Sequence, residues 1–216
     1  ETQRDDGYGP IPDFFSDRMK DINPMKRGII YADAVNTVSP TYAEEITSEE
    51  FGEGLENLLR EKRTKLYGIL NGIDYETTNP ATDQFIAEKF TSRNIEARNG
   101  NKLALQKRFG LPQDKNTFVV GIVSRLTRQK GFNLLQPVID IFLKTTKAQL
   151  VVLGTGDTEI MDFFRLLEEK FPQQVRAHLQ FEDSLPHLVF AGCDAFLIPS
   201  KFEPAGLTQM EAMRFG

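Results

Sequence analysis

The chain has 216 residues, with 40% apolar and 26% charged side chains, a globular balance that excludes wholesale disorder. No apolar run approaches the roughly 18 residues of a membrane-crossing helix, and the single cysteine, Cys193, excludes a disulfide framework or a multi-cysteine zinc site. A net charge of -5 argues against general nucleic-acid binding, and His178 and His187 alone are a poor basis for a metal centre.

Residues 1–28 are polar and irregular and lack the pattern of a signal peptide. Residues 29–39 read as a helix end and a short strand, on Ile29, Ile30, Val35 and Val38. Residues 40–46 read as a helix capped by Ser39, with Pro40 in its first turn. Residues 66–70 form a short apolar strand that runs into Asn71-Gly72, a turn signal. Residues 71–96, rich in Asn, Thr, Asp and Pro, read as a connector. An amphipathic helix follows over 97–109 and stops at Gly110.

From there the pattern is regular. Strands are expected at 118–123, 149–153, 177–181 and 195–198. Helices are expected at 132–146, 158–170, 185–191 and 205–215, with Pro137 either bending the first or fixing its first turn. Apolar strands alternating with helices predict an α/β fold, a parallel sheet covered on both faces. Its connections should be right-handed, and ligands should bind at the carboxyl ends of the strands.

Three strand ends carry candidate chemistry. After 118–123 come Arg125 and Lys130, two cations ahead of a helix start, where an anion would sit. An ordinary solvated basic loop explains this pattern about equally well. After 149–153 comes Gly154-Thr155-Gly156-Asp157. It is an incomplete dinucleotide fingerprint, with Glu159 where the third glycine belongs, so a hydride-transfer reading is weak. After 195–198 come Glu203 and Gly206, ahead of free helix amides suited to a phosphate or hydroxyl, with Glu211 two turns further on. Taken singly, Glu203 reads as a helix-capping carboxylate and Glu211 as a solvent-facing residue.

Together these segments resemble the bacterial glycogen synthases and plant starch synthases. The resemblance rests on Ser124-Arg125-Leu126-Thr127-x-Gln129-Lys130-Gly131, on Gly154-Thr155-Gly156-Asp157, and on Pro199-Ser200-x-Phe202-Glu203-Pro204-x-Gly206-Leu207-Thr208-Gln209. Tyr31-Ala32-Asp33, Thr37-Val38-Ser39-Pro40-Thr41-Tyr42-Ala43, Asn71-Gly72-Ile73-Asp74 and Asn79-Pro80-Ala81-Thr82-Asp83 are similar to the same family in the same order. The similarity runs from about Asn23 to Gly216.

The resemblance implies a GT-B glycosyltransferase built of Rossmann-like domains. It implies metal-free and cofactor-free transfer of glucose, with retention, from ADP-glucose or UDP-glucose to the non-reducing end of an α-1,4-glucan. Within it, Arg125 and Lys130 match the clamp on the donor diphosphate, and Glu203 matches the carboxylate that contacts the donor glucose. Gly206, Leu207 and Thr208 match the backbone segment at glucose and phosphate. Glu211 matches a ribose contact, and Gly154 and Gly156 match the nucleotide pocket.

The resemblance also implies an organisation. Residues 1–70 would end the amino-terminal, acceptor-side domain. Residues 71–96 would form the interdomain connector, and 97–216 the first part of the carboxyl-terminal nucleotide-sugar domain. The Lys-x-Gly-Gly-Leu loop of the first domain does not occur in the chain, so a piece of a longer enzyme, inactive alone, is expected. Neither nucleic acid nor membrane is an expected partner. A bacterial cytoplasm, or a plastid for a plant-type enzyme, is the expected setting. A transferase with a sucrose- or trehalose-type acceptor, and a non-catalytic glucan-binding derivative, are the competing readings.

Overall fold

A computed structural model describes residues 6–216. The chain divides at Asn71/Gly72 into two compact units.

The first unit is small. Helix α1 (Pro24–Tyr31) starts where the Asn23 side chain accepts a hydrogen bond from the Lys26 amide at 2.9 Å. Helix α2 (Pro40–Glu45) starts likewise at Ser39, whose hydroxyl accepts from the Tyr42 amide at 2.9 Å. In both, proline fills the first turn, where no amide donor is needed. Strands β1 (Val35–Thr37) and β2 (Leu66–Gly68) pair in parallel. A six-residue helix, α3 (Glu56–Glu61), lies between α2 and β2 in sequence.

The second unit is a three-layer α/β/α sandwich. Its elements are α4 (Arg98–Arg108), β3 (Val119–Val123), α5 (Ile139–Thr146), β4 (Gln149–Leu153), α6 (Thr158–Lys170), β5 (Val175–His178), α7 (Leu185–Gly192), β6 (Ala195–Phe196) and α8 (Leu207–Arg214). The sheet is parallel throughout, in the order β5-β4-β3-β6. The strands alternate with period two, as their pleat requires. Val120, Ile122, Leu150 and Val152 pack with Ile139, Leu143, Phe164 and Leu167 of α5 and α6. Val119, Val151 and Leu153 pack on the opposite face with Leu105, Leu185 and Val189 of α4 and α7. A sheet buried on both faces needs the unbroken apolar runs seen in the sequence.

Three expectations are adjusted. The helix expected over 132–146 is a single 3-10 turn, Phe132–Leu134, followed by α5 from Ile139. Pro137 has no amide to donate and disfavours helical backbone before it, so a continuous helix cannot form across it. The strand expected over 177–181 is β5, Val175–His178. The helix expected from 205 begins at Leu207.

The strand order fixes where a ligand can enter. From β3 the chain moves to β4 and then β5 on one side, and returns through β6 on the other side of β3. Loops leaving the carboxyl ends of β3 and β6 therefore diverge to opposite helical layers and leave a crevice between them. No helix among the described residues is long and apolar enough to cross a membrane.

Candidate active site

The crevice holds a cavity of about 240 Å³. Ser124 and Lys130 reach it from the β3 side, and Ser200, Glu203, Gly206 and Thr208 from the β6 side. Lys130 ends a 3-10 turn, Arg128–Lys130, which closes at Gly131 with a left-handed φ of 70°. A side chain at Gly131 would put its Cβ 2.0 Å from the Pro199 carbonyl oxygen, so only glycine lets the two loops touch. Two hydrogen bonds stitch the same loops together. The Lys201 amide donates to the Gln129 carbonyl at 2.9 Å, and Gln129 Nε2 donates to the Phe202 carbonyl at 3.3 Å.

The loops bring two charges into contact. Lys130 Nζ lies 2.6 Å from Glu203 Oε1, with both side chains about four-fifths buried. Ser200 Oγ donates to the same oxygen at 2.6 Å. A partly buried carboxylate and ammonium are tolerated because each supplies the other's counter-charge. Glu203 therefore does not cap α8. Gly206 does so through its left-handed backbone, and no side chain accepts from the first amides of the helix. Free amides at a helix start, beside a lysine, make an anion site.

A second cavity, of about 310 Å³, adjoins the first and shares Val123, Ser124 and Thr208 with it. Arg125, Gly154, Thr155 and Phe181 are among its lining residues. Arg125 is exposed and makes no ion pair among the described residues. Lys130, Glu203, Gly206, Leu207 and Thr208 thus meet in the first cavity, while Arg125 and Gly154 belong to the second. Gly156 and Glu211 line neither of the two. Gly156 instead bridges in parallel to Leu126, tying the β4 loop to the β3 loop. Glu211, on α8, is half-buried, not solvent-facing. Burial raises its carboxyl above the ordinary range, and nearby His187 partly opposes that shift.

Two interactions escaped the sequence reading. Ser200 lies in the loop after β6, where no spacing marks it as a partner of Glu203. Asp83, with only 1% of its side chain exposed, meets His187 Nδ1 at 2.6 Å across 104 residues of sequence. No local periodicity could report such a pair. The one cue was a polar Asp inside an Asn-Pro-Ala-Thr-Asp connector. Cys193 is buried, and desolvation pushes its thiol far above the ordinary range, so it is a packing residue. Among the described residues no cluster of His, Cys, Asp or Glu is arranged to hold a metal ion.

Residues 104–216 match the family model of glycosyl transferases group 1, and residues 8–61 match that of the starch synthase catalytic domain. The glycogen synthase of Thermotoga petrophila is 49% identical over 197 residues, which are 91% of this chain and 40% of that protein. The glycogen synthase of Clostridium novyi is 46% identical over 214 residues, 97% of this chain and 44% of that protein. The catalytic domain of starch synthase IV from Arabidopsis thaliana, solved bound to ADP and acarbose, superposes with a TM-score of 0.83 at 41% identity. That match covers 90% of this chain and 40% of the plant structure. The chain thus spans about 40% of the length of the curated relatives it matches.

Proposed function

The chain belongs to the glycosyl transferases group 1 family and carries the α/β architecture of GT-B enzymes, and from that premise we propose that it is the donor-binding segment of a glucan synthase. The reaction is transfer of glucose from a nucleotide-diphosphate sugar, ADP-glucose in the first instance, to the non-reducing end of an α-1,4-glucan. The setting is a bacterial cytoplasm, since the similar glycogen synthases are bacterial. The observation that carries this reading is the meeting of Lys130, Glu203 and the start of α8, whose first amides no side chain caps, in one cavity at the crevice between β3 and β6.

The chemistry follows from charge. When the bond between the sugar's anomeric carbon and the diphosphate breaks, negative charge grows on the departing phosphate oxygen. Lys130, the first amides of α8 and Arg125 from the adjoining cavity supply positive potential there, oriented before the reaction begins. Positive character grows on the sugar ring at the same time. Glu203 supplies a carboxylate for the sugar's hydroxyls and a negative charge near the ring. The acceptor hydroxyl forms the new glycosidic bond to the anomeric carbon and gives its proton to the oxygen of the departing diphosphate. Gly154 and Gly156 shape the loop that receives the nucleotide, and Glu211 meets the ribose.

Residues 1–70 are a segment of the acceptor-side domain, and the activity belongs to the longer enzyme. The test is glucose incorporation into glycogen by the full-length enzyme, with ADP-glucose and UDP-glucose in parallel. Incorporation from ADP-glucose is expected, with none from the 216-residue chain alone. Failure with both donors would refute the assignment.

A further inference from the structure

The carboxylate of Glu203 is held on one side only. Its Oε1 receives both Lys130 Nζ and Ser200 Oγ, each at 2.6 Å. Among the described residues no other hydrogen bond reaches this side chain, and Oε2 is not among the buried polar atoms left without a partner. One oxygen is therefore saturated by two donors, while the other is free to accept from a ligand in the cavity that Glu203 lines.

The two donors differ in what a diphosphate does to them. Lys130 is a cation within the same cavity, and a diphosphate, with one negative charge on each phosphate, competes with Glu203 for it. Ser200 is neutral and stands only three residues from Glu203. Its loop is anchored by the Lys201–Gln129 backbone hydrogen bond, so it keeps its place when the lysine is drawn away.

We propose that Ser200 is a positioning residue: its hydroxyl fixes the Glu203 carboxylate when a diphosphate donor takes over Lys130, leaving Oε2 to select the hydroxyls of the transferred sugar. This rests on the donor-site reading above. Ser200 acts through Glu203, to which its hydroxyl donates.

The test is a double-mutant cycle in the full-length enzyme, with Ser200→Ala, Glu203→Gln and the double variant assayed for kcat and KM of ADP-glucose. Ser200→Ala is expected to lower kcat/KM about tenfold, the weight of a hydrogen bond to a charged group. The same change in the Glu203→Gln background is expected to cost less than about twofold, because the charged partner is already gone. Ser200→Thr, which keeps the hydroxyl, should stay within about threefold of the unmodified enzyme. A Ser200→Ala enzyme with unchanged kcat/KM would overturn the proposal. So would a tenfold loss that persists in the Glu203→Gln background, or a Thr variant as impaired as the Ala variant. If the Ala variant does not fold, Ser200→Cys, similar in size with a weak donor, carries the same comparison and the same expected loss. Full activity of Glu203→Gln would instead refute the donor-site reading itself, so the two failures are distinguishable.

Discussion

Gly131→Ala probes the contact on which the cavity depends. The added Cβ would lie 2.0 Å from the Pro199 carbonyl oxygen, against the 3.0 Å below which real Cβ contacts are essentially never found. The β6 loop must then retreat by about 1 Å, carrying Ser200 and Glu203 away from Lys130. The left-handed φ of 70° adds a backbone penalty of roughly 1–2 kcal/mol for a residue with a Cβ. Overpacking adds roughly 1–3 kcal/mol, so about 2–5 kcal/mol of stability should be lost. For a unit of this size that is roughly 5–15 °C in Tm. A 1 Å displacement of reacting groups costs on the order of 10²-fold in turnover. Scanning calorimetry and initial glucose-transfer rates on the full-length enzyme measure both. Gly110→Ala is the control, since its φ is also left-handed, at 62°, yet nothing lies within 4 Å of the added Cβ. It should lose roughly 1–2 kcal/mol with turnover intact. A Gly131→Ala enzyme with the stability and rate of the Gly110→Ala enzyme would refute the reasoning.

Two further changes separate the neighbouring cavities and the buried acid. Arg125 is exposed and makes no ion pair among the described residues, so Arg125→Ala should raise KM for ADP-glucose by about tenfold or more while leaving Tm unchanged. A fall in Tm without a change in KM would contradict its place on the donor. The Glu211 carboxyl is raised by burial, so the folded state holds that proton more tightly than the unfolded chain. Its stabilising contribution is present below the ordinary glutamate range and is lost as pH rises through the folded value. Glu211→Gln should therefore raise Tm at pH 7, with the gain shrinking toward pH 4. A gain independent of pH would refute that cause.

The strands at Val119–Val123 and Gln149–Leu153 were legible because a sheet buried on both faces demands continuous apolar runs. Where the run is diluted, placement slipped. Strand β5 contains Arg176 and His178, so its apolar signal drifted toward Leu179 and Phe181. Helix α3, six residues long between glycines and a basic turn, is too short to show a period. The residues of the candidate site were legible as strand-end loops, but their pairing was not. Lys130 and Glu203 are 73 residues apart and meet only because β6 returns beside β3. The contact of Ser200 with Glu203 depends on loop backbone shape. Sequence spacing carries no signal for either.

The most direct test of the account is the rate of glucose transfer from ADP-glucose to glycogen by the full-length enzyme with Lys130→Ala or Glu203→Ala. The account predicts that each substitution lowers turnover on the order of 10²-fold or more, through lost stabilisation of charge in the transition state. Turnover within about threefold of the unmodified enzyme for both would contradict it.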